Sequence, residues 1–115
     1  MEKKIYTFNE LKKMLKPVFL KYKLKKVYIF GSYARGEARE DSDVDIMIVK
    51  KKSKINTLLD LSEFQEELQK TLNKNVDVIT EETYLDNTVE DNKYGKLAKD
   101  IFYNQVKKDR RVLYG

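Results

Sequence analysis

The sequence predicts an α/β (α+β) domain in which a small mixed β-sheet is flanked by helices. Three observations carry that expectation. Val27–Phe30, Asp45–Val49 and Val76–Ile79 are short runs rich in β-branched residues, of strand length rather than helix length. Around them lie longer stretches whose apolar residues recur at spacings of three and four, the period of an amphipathic helix. Strands alternating with helical segments favour helices packed on a sheet over an all-helical or all-strand architecture. With 115 residues, a single Pro and no repeat or low-complexity tract, no internal linker is visible, and residues 1–115 are expected to form one domain.

Taken in order, Thr7 followed by Glu10 has the spacing of a capping box. Phe8, Leu11, Leu15, Val18 and Phe19 then share one helical face. Pro17 lacks the N–H that a helix interior uses, so a kink or the start of a second short helix is expected there. Val27–Phe30 reads as a buried strand ended by Gly31, and Asp45–Val49 as a second strand stopped by lysines. Asn56 is expected to cap a long helix carrying Leu58, Leu61, Phe64, Leu68 and Leu72. Asn73–Asn75 breaks it, and Val76–Ile79 gives a third strand. After a polar stretch over residues 80–92, a helix is expected from Tyr94 to about Lys107 with Leu97, Ala98, Ile101 and Phe102 facing inward. Val112-Leu113-Tyr114 suits either an edge strand or a docking tail.

Composition narrows the chemistry. There is no Cys and no His, which excludes disulfides, thiolate nucleophiles, imidazole acid–base catalysis and Cys- or His-ligated metals. What remains is carboxylates, hydroxyls, Lys, Arg, or a hard cation held by oxygen. Charged residues make up 37% of the chain and the mean hydropathy is −0.68. No apolar run exceeds four residues, so neither a membrane span nor a signal peptide is expected, and a reducing cytoplasm is the expected compartment. The net charge of +5 favours anionic partners in general. The lysines are spread along the chain, however, and their short runs read as solvated surface, so direct nucleic-acid binding is not expected.

The informative stretch is Gly31-Ser32-Tyr33-Ala34-Arg35-Gly36, followed at a distance by Asp43-Val44-Asp45. Gly31 lets the backbone turn sharply after a buried strand. Ser32 and the N–H groups of the turn can face a phosphate oxygen, and Arg35 can add a cation. Gly31 and Gly36 have the glycine spacing of a P-loop, but Glu37 and Ala38 stand where Lys and Ser or Thr are required, so that motif is rejected. Asp43 and Asp45 lie two apart at the start of a strand, which points both carboxylates to one face. Like charges repel and Asp is a poor strand former, so a purely structural role leaves this pairing beside Ile-Met-Ile-Val unexplained unless the segment is a solvated turn. Mg2+ would favour it, because that ion takes hard oxygen ligands from one or two carboxylates plus substrate phosphates. Asp77, set between Val76 and Val78, is the candidate third carboxylate if its strand lies beside that of Asp45. Glu81 and Glu82 are rivals, expected to be exposed beyond the apolar run.

Phe30-Gly31-Ser32-Tyr33-Ala34-Arg35-Gly36-Glu37-Ala38 followed by Ser42-Asp43-Val44-Asp45 resembles the signature of the polymerase-β-like nucleotidyltransferase superfamily. It is similar in particular to the minimal nucleotidyltransferases, the small MntA-type antitoxins of HEPN/MNT toxin–antitoxin systems. The resemblance spans nearly the whole chain and implies the polymerase-β-like nucleotidyltransferase fold. It implies that Asp43 and Asp45 hold two Mg2+ ions, that Asp77 joins them at one ion, and that Gly31 and Ser32 hold the triphosphate of ATP. The implied activity is transfer of AMP from ATP to a tyrosine of a cognate HEPN RNase toxin, with pyrophosphate leaving. Two other functions suit the same residues: an antitoxin acting by steric blocking without catalysis, and nucleotidylation of a small molecule.

Overall fold

The computed structural model describes residues 4–85 and 93–115. Helix α1 (Phe8–Lys21) opens with the expected capping box: Thr7 accepts from the Glu10 backbone N–H, and the Glu10 carboxylate accepts from that of Thr7. Pro17 neither ends the helix nor starts a second one. The carbonyl it leaves without an N–H partner is that of Lys13, and both residues are exposed, so water can supply the missing donor. Strand β1 (Val27–Phe30), the five-residue helix α2 (Gly31–Arg35) and strand β2 (Val44–Ile48) follow.

Helix α3 (Leu58–Leu72) is capped by Thr57, not Asn56. Thr57 forms a reciprocal box with Asp60, whose carboxylate also accepts from the Asn56 backbone N–H. The chain after it turns at Asn73, left-handed with φ 52°, and enters β3 (Val76–Thr80). A single turn of helix, α4 (Glu82–Leu85), follows; of the polar stretch expected over 80–92, residues 86–92 lie outside the described residues. Helix α5 (Lys93–Asp109) leads into β4 (Arg111–Tyr114), which settles the C-terminal segment as an edge strand.

The sheet runs in the order β3-β2-β1-β4. Strands β2 and β4 pair with β1 antiparallel, and β2 pairs with β3 parallel, so the sheet is mixed as expected. Side chains alternate across it. Val27, Ile29, Val44, Ile46, Ile48 and Val76 pack against Leu11, Leu15 and Phe19 of α1 and Phe64, Leu68 and Leu72 of α3, forming the main core. Phe19 and Phe64 meet at 6.2 Å between ring centroids, and Tyr22 stands edge-on to Phe64 at 5.1 Å. The opposite face carries a smaller cluster of Phe30, Met47 and Val106 with Tyr28, Ile79, Tyr84 and Tyr103 around it.

Helix α5 turns a different stripe to the sheet than its apolar period suggested. Leu97, Ala98, Ile101 and Phe102 are exposed, and the helix instead buries Val106 and half-buries Tyr103. Phe102 keeps ring contacts with Phe30 and Tyr84 at 6.2 and 5.5 Å. Arg110, just beyond the helix, adds to the same inward stripe. Its guanidinium pairs with the Glu81 carboxylate and lies 4.0 Å from the centroid of the Tyr28 ring. Among the described residues no helix is long and apolar enough to cross a membrane.

Candidate active site

The second face of the sheet is where the aspartates stand. Asp45 is the second residue of β2, and its neighbours Val44 and Ile46 point into the main core, so alternation turns Asp45 outward. In the parallel ladder Asp45 is paired with Asp77, and in the antiparallel ladder with Phe30. The two carboxylates expected to share a cleft are therefore cross-strand neighbours on one face. Asp43 is exposed immediately before β2.

Burial and charge act together on Asp45. Its carboxyl group is pushed up from 3.8 to about 6, first by loss of hydration, then by the negative charges of Asp77 and Asp43 and a hydrogen bond with Asp77. The Arg35 cation opposes the rise. Crowded carboxylates of this kind are a cost that a bound cation would remove. Among the described residues, no three acidic side chains are drawn together tightly enough to cage an ion as they stand. To hold a Mg2+ ion here the exposed Asp43 would have to turn toward Asp45 and Asp77, with the remaining ligands drawn from water or from a substrate's oxygens, as suits an ion that binds few carboxylates. The donor set fits: it is all oxygen, it is anionic, and two of its members already stand side by side.

Gly31 explains why the strand ends as it does. Its φ is +70°, and a Cβ added there would lie 2.2 Å from Oδ2 of Asp45. The absence of a side chain is what lets the β1–α2 turn press against the carboxylate. Ser32 follows in α2, half-buried, with its carbonyl accepting from the Glu37 backbone N–H at 2.9 Å. Arg35 is exposed and bound on both sides, to Glu37 at 3.1 Å and to Asp109 at 3.3 Å. Its charge reaches Asp45, but its fork is already occupied by carboxylates.

The two rivals have other work. The Glu81 carboxylate is well shielded from solvent, contrary to expectation, because it takes the Arg110 guanidinium and the Tyr103 hydroxyl. Glu82 accepts backbone hydrogen bonds from Lys50 and Lys51 at 3.1 and 2.8 Å and so holds the turn after β2.

Three residues of the site's frame have no signal in a single sequence. Gln69 Oε1 accepts from the Val76 N–H at 3.1 Å, and Gln65 Nε2 donates to the Val76 carbonyl at 2.7 Å. Strand β3 is an edge strand, and these two amides of α3 satisfy its backbone one residue before Asp77. Lys74 is the third. It is only 8% exposed, and its ammonium donates to the Glu40 carbonyl at 2.6 Å.

Comparison with known proteins bears on the family and the fold. Residues 9–109 match the family described as nucleotidyltransferase domain. A Methanocaldococcus jannaschii protein named as a candidate protein adenylyltransferase is 46% identical over 72 residues, which cover 63% of this chain and 75% of that one. The fold is similar to a crystal structure of a candidate minimal nucleotidyltransferase, with a TM-score of 0.64 and 27% identity over 92% of this chain and 95% of that chain. It is also similar to a chain of a toxin–antitoxin crystal structure with AMP-PNP, with a TM-score of 0.65 and 20% identity over 90% of this chain and 73% of that chain.

Proposed function

This chain belongs to the nucleotidyltransferase domain family, and from that premise we propose that it is an antitoxin that adenylylates a protein, moving AMP from ATP to a tyrosine of a cognate HEPN-type toxin. The observation that carries the reading is the pairing of Asp45 with Asp77 beside Gly31. It sets two carboxylates side by side on one face of the sheet, with the glycine turn that would hold a triphosphate packed against one of them. The name carried by its relative supports a protein as acceptor and AMP as the group moved.

In this reading Asp43 and Asp45 would hold two Mg2+ ions, and Asp77 would join them at one. When bound, the ions neutralise the phosphates and lower the pKa of the attacking hydroxyl. The residues of the chain do the rest. Gly31 and Ser32 hold the triphosphate, and Asp77 accepts the proton of the acceptor hydroxyl. The hydroxyl oxygen forms a bond to the α-phosphorus, the bond from that phosphorus to the β-phosphate bridge breaks, and pyrophosphate leaves. No imidazole is needed, in keeping with a chain that has none.

The test is incubation with α-labelled ATP, Mg2+ and the cognate toxin. Label transferred to a toxin tyrosine by the wild type, and not by Asp45→Ala, is the expected outcome. A competent toxin left unlabelled refutes adenylylation. Neutralisation of the toxin by Asp43→Ala and Asp45→Ala as well as by the wild type would point to steric blocking instead.

A further inference from the structure

Lys74 is a charged side chain buried at the end of the sheet that carries the aspartates. Its ammonium crosses from the turn before β3 to the segment before β2, where it donates to the Glu40 carbonyl at 2.6 Å. That segment is itself folded tightly: the Arg39 N–H donates to Ser42 Oγ at 2.8 Å, and the Ser42 N–H returns to the Arg39 carbonyl at 3.0 Å. Asp43 is the next residue. On the other side, Asn75 follows Lys74, and its carbonyl accepts from the Val44 N–H at 3.0 Å. Asp77 is three residues beyond Lys74. One side chain therefore ties the approach to Asp43 and Asp45 to the approach to Asp77.

The Lys74 stem is almost fully covered while its ammonium is held by a backbone carbonyl of another segment, so the residue does more than cover apolar surface. A long donor reaching across the entrance of two strands accounts for it. We propose that Lys74 is a positioning residue: by pinning the Glu40 carbonyl it sets where Asp43 stands relative to Asp45 and Asp77, and so sets how readily the three close on Mg2+. The inference rests on the reading of these aspartates as metal ligands.

The experiment compares wild type with K74M, which keeps an unbranched side chain without the charge, and with K74R, which keeps a cationic donor. Should K74M not fold, K74Q carries the same test. Melting temperature is followed as Mg2+ is titrated at fixed ATP, and transfer to the toxin is measured over the same Mg2+ range. Amide exchange at residues 40–42 reports on the tie itself. In K74M the Mg2+ half-saturation point is expected to rise by up to about 10-fold, the low end of what loss of a metal ligand's direct partner costs, because Lys74 acts on Asp43 only through the backbone. At saturating Mg2+ the KM for the toxin is expected to stay unchanged, exchange at residues 40–42 to speed up, and K74R to recover most of the wild-type Mg2+ response. Faster exchange with an unchanged Mg2+ half-saturation point would show a tie that serves the fold alone and would overturn the proposal. Unchanged exchange together with an unchanged half-saturation point overturns it too. A wild type that Mg2+ and ATP stabilise but that labels no toxin refutes the proposed acceptor and leaves the Lys74 comparison standing on its thermal readout.

Discussion

Replacing Asp45 with Asn tests the electrostatics of the site directly. Asn has nearly the same shape, so it keeps the contact with Gly31 while removing the charge. The wild-type carboxyl rises from 3.8 to about 6 on folding, mainly through lost hydration and the nearby charges of Asp77 and Asp43. An acid whose folded-state value is raised lends its stability below the unfolded value and loses it as the pH climbs through the folded one. The loss therefore falls between about pH 3.8 and about pH 6. At about 1.4 kcal/mol for each pH unit the full cost is roughly 3 kcal/mol. Asp45 is only half-buried, and screening by water reduces this to about 1–2 kcal/mol. At pH 8, without metal, Asp45→Asn is expected to melt about 4–8 °C above the wild type. At pH 3.5 the two should melt together. Adding Mg2+ and ATP at pH 8 should reverse the order, since only the wild type gains a cation partner for the charge. Differential scanning calorimetry at the two pH values reads all three. An Asn variant that melts below the wild type at pH 8 without metal would refute the account.

Four other outcomes follow from the same geometry. Asp43→Asn, at an exposed position, is expected to change apo stability by no more than about 0.5 kcal/mol in urea denaturation while abolishing nucleotidyl transfer in the labelled-ATP assay. Gly31→Ala places a Cβ 2.2 Å from Asp45 Oδ2 at a left-handed φ of +70°; a loss of about 2 kcal/mol or more in urea denaturation and loss of transfer are expected. Arg110→Met leaves Glu81 shielded without its cation, and chemical denaturation should show a loss of about 2–4 kcal/mol that Glu81→Gln partly restores in the double variant. Thr57→Ala removes the α3 cap and should cost about 1 kcal/mol in the melting curve, with transfer at 25 °C unchanged.

Much of the site is legible in the amino-acid order alone. The Asp43-x-Asp45 spacing, the glycine turn after a β-rich run and the isolated Asp77 all rest on contacts within a few residues, and strand period alone sends Asp45 and Asp77 away from the core. The expectation for Leu97, Ala98, Ile101 and Phe102 fails because local spacing is not enough there. Their spacing marks an apolar stripe, but the stripe turned inward is the one carrying Val106 and Tyr103 and continued by Arg110, whose partners lie on other elements. Glu81 departs from expectation for the matching reason: its partner Arg110 is 29 positions away and only the sheet brings them together.

What the sequence determined by itself was the three central strands, the three long helices, the cap of the first of them, and which residue types are available for chemistry; the short helices α2 and α4 were not among its expectations. Each feature it did determine follows from backbone preferences and from neighbours along the chain. What only the tertiary structure decided was register and contact across the sheet: Asp77 beside Asp45, Gly31 against the Asp45 carboxylate, Gln65 and Gln69 on the edge of β3, and Lys74 reaching Glu40. Those relations join different elements of the fold. A strand shifted by one residue would keep every local preference yet turn its aspartate into the core. It is the packing of α1 and α3 on one face of the sheet that forbids the shift and keeps the aspartates on the other.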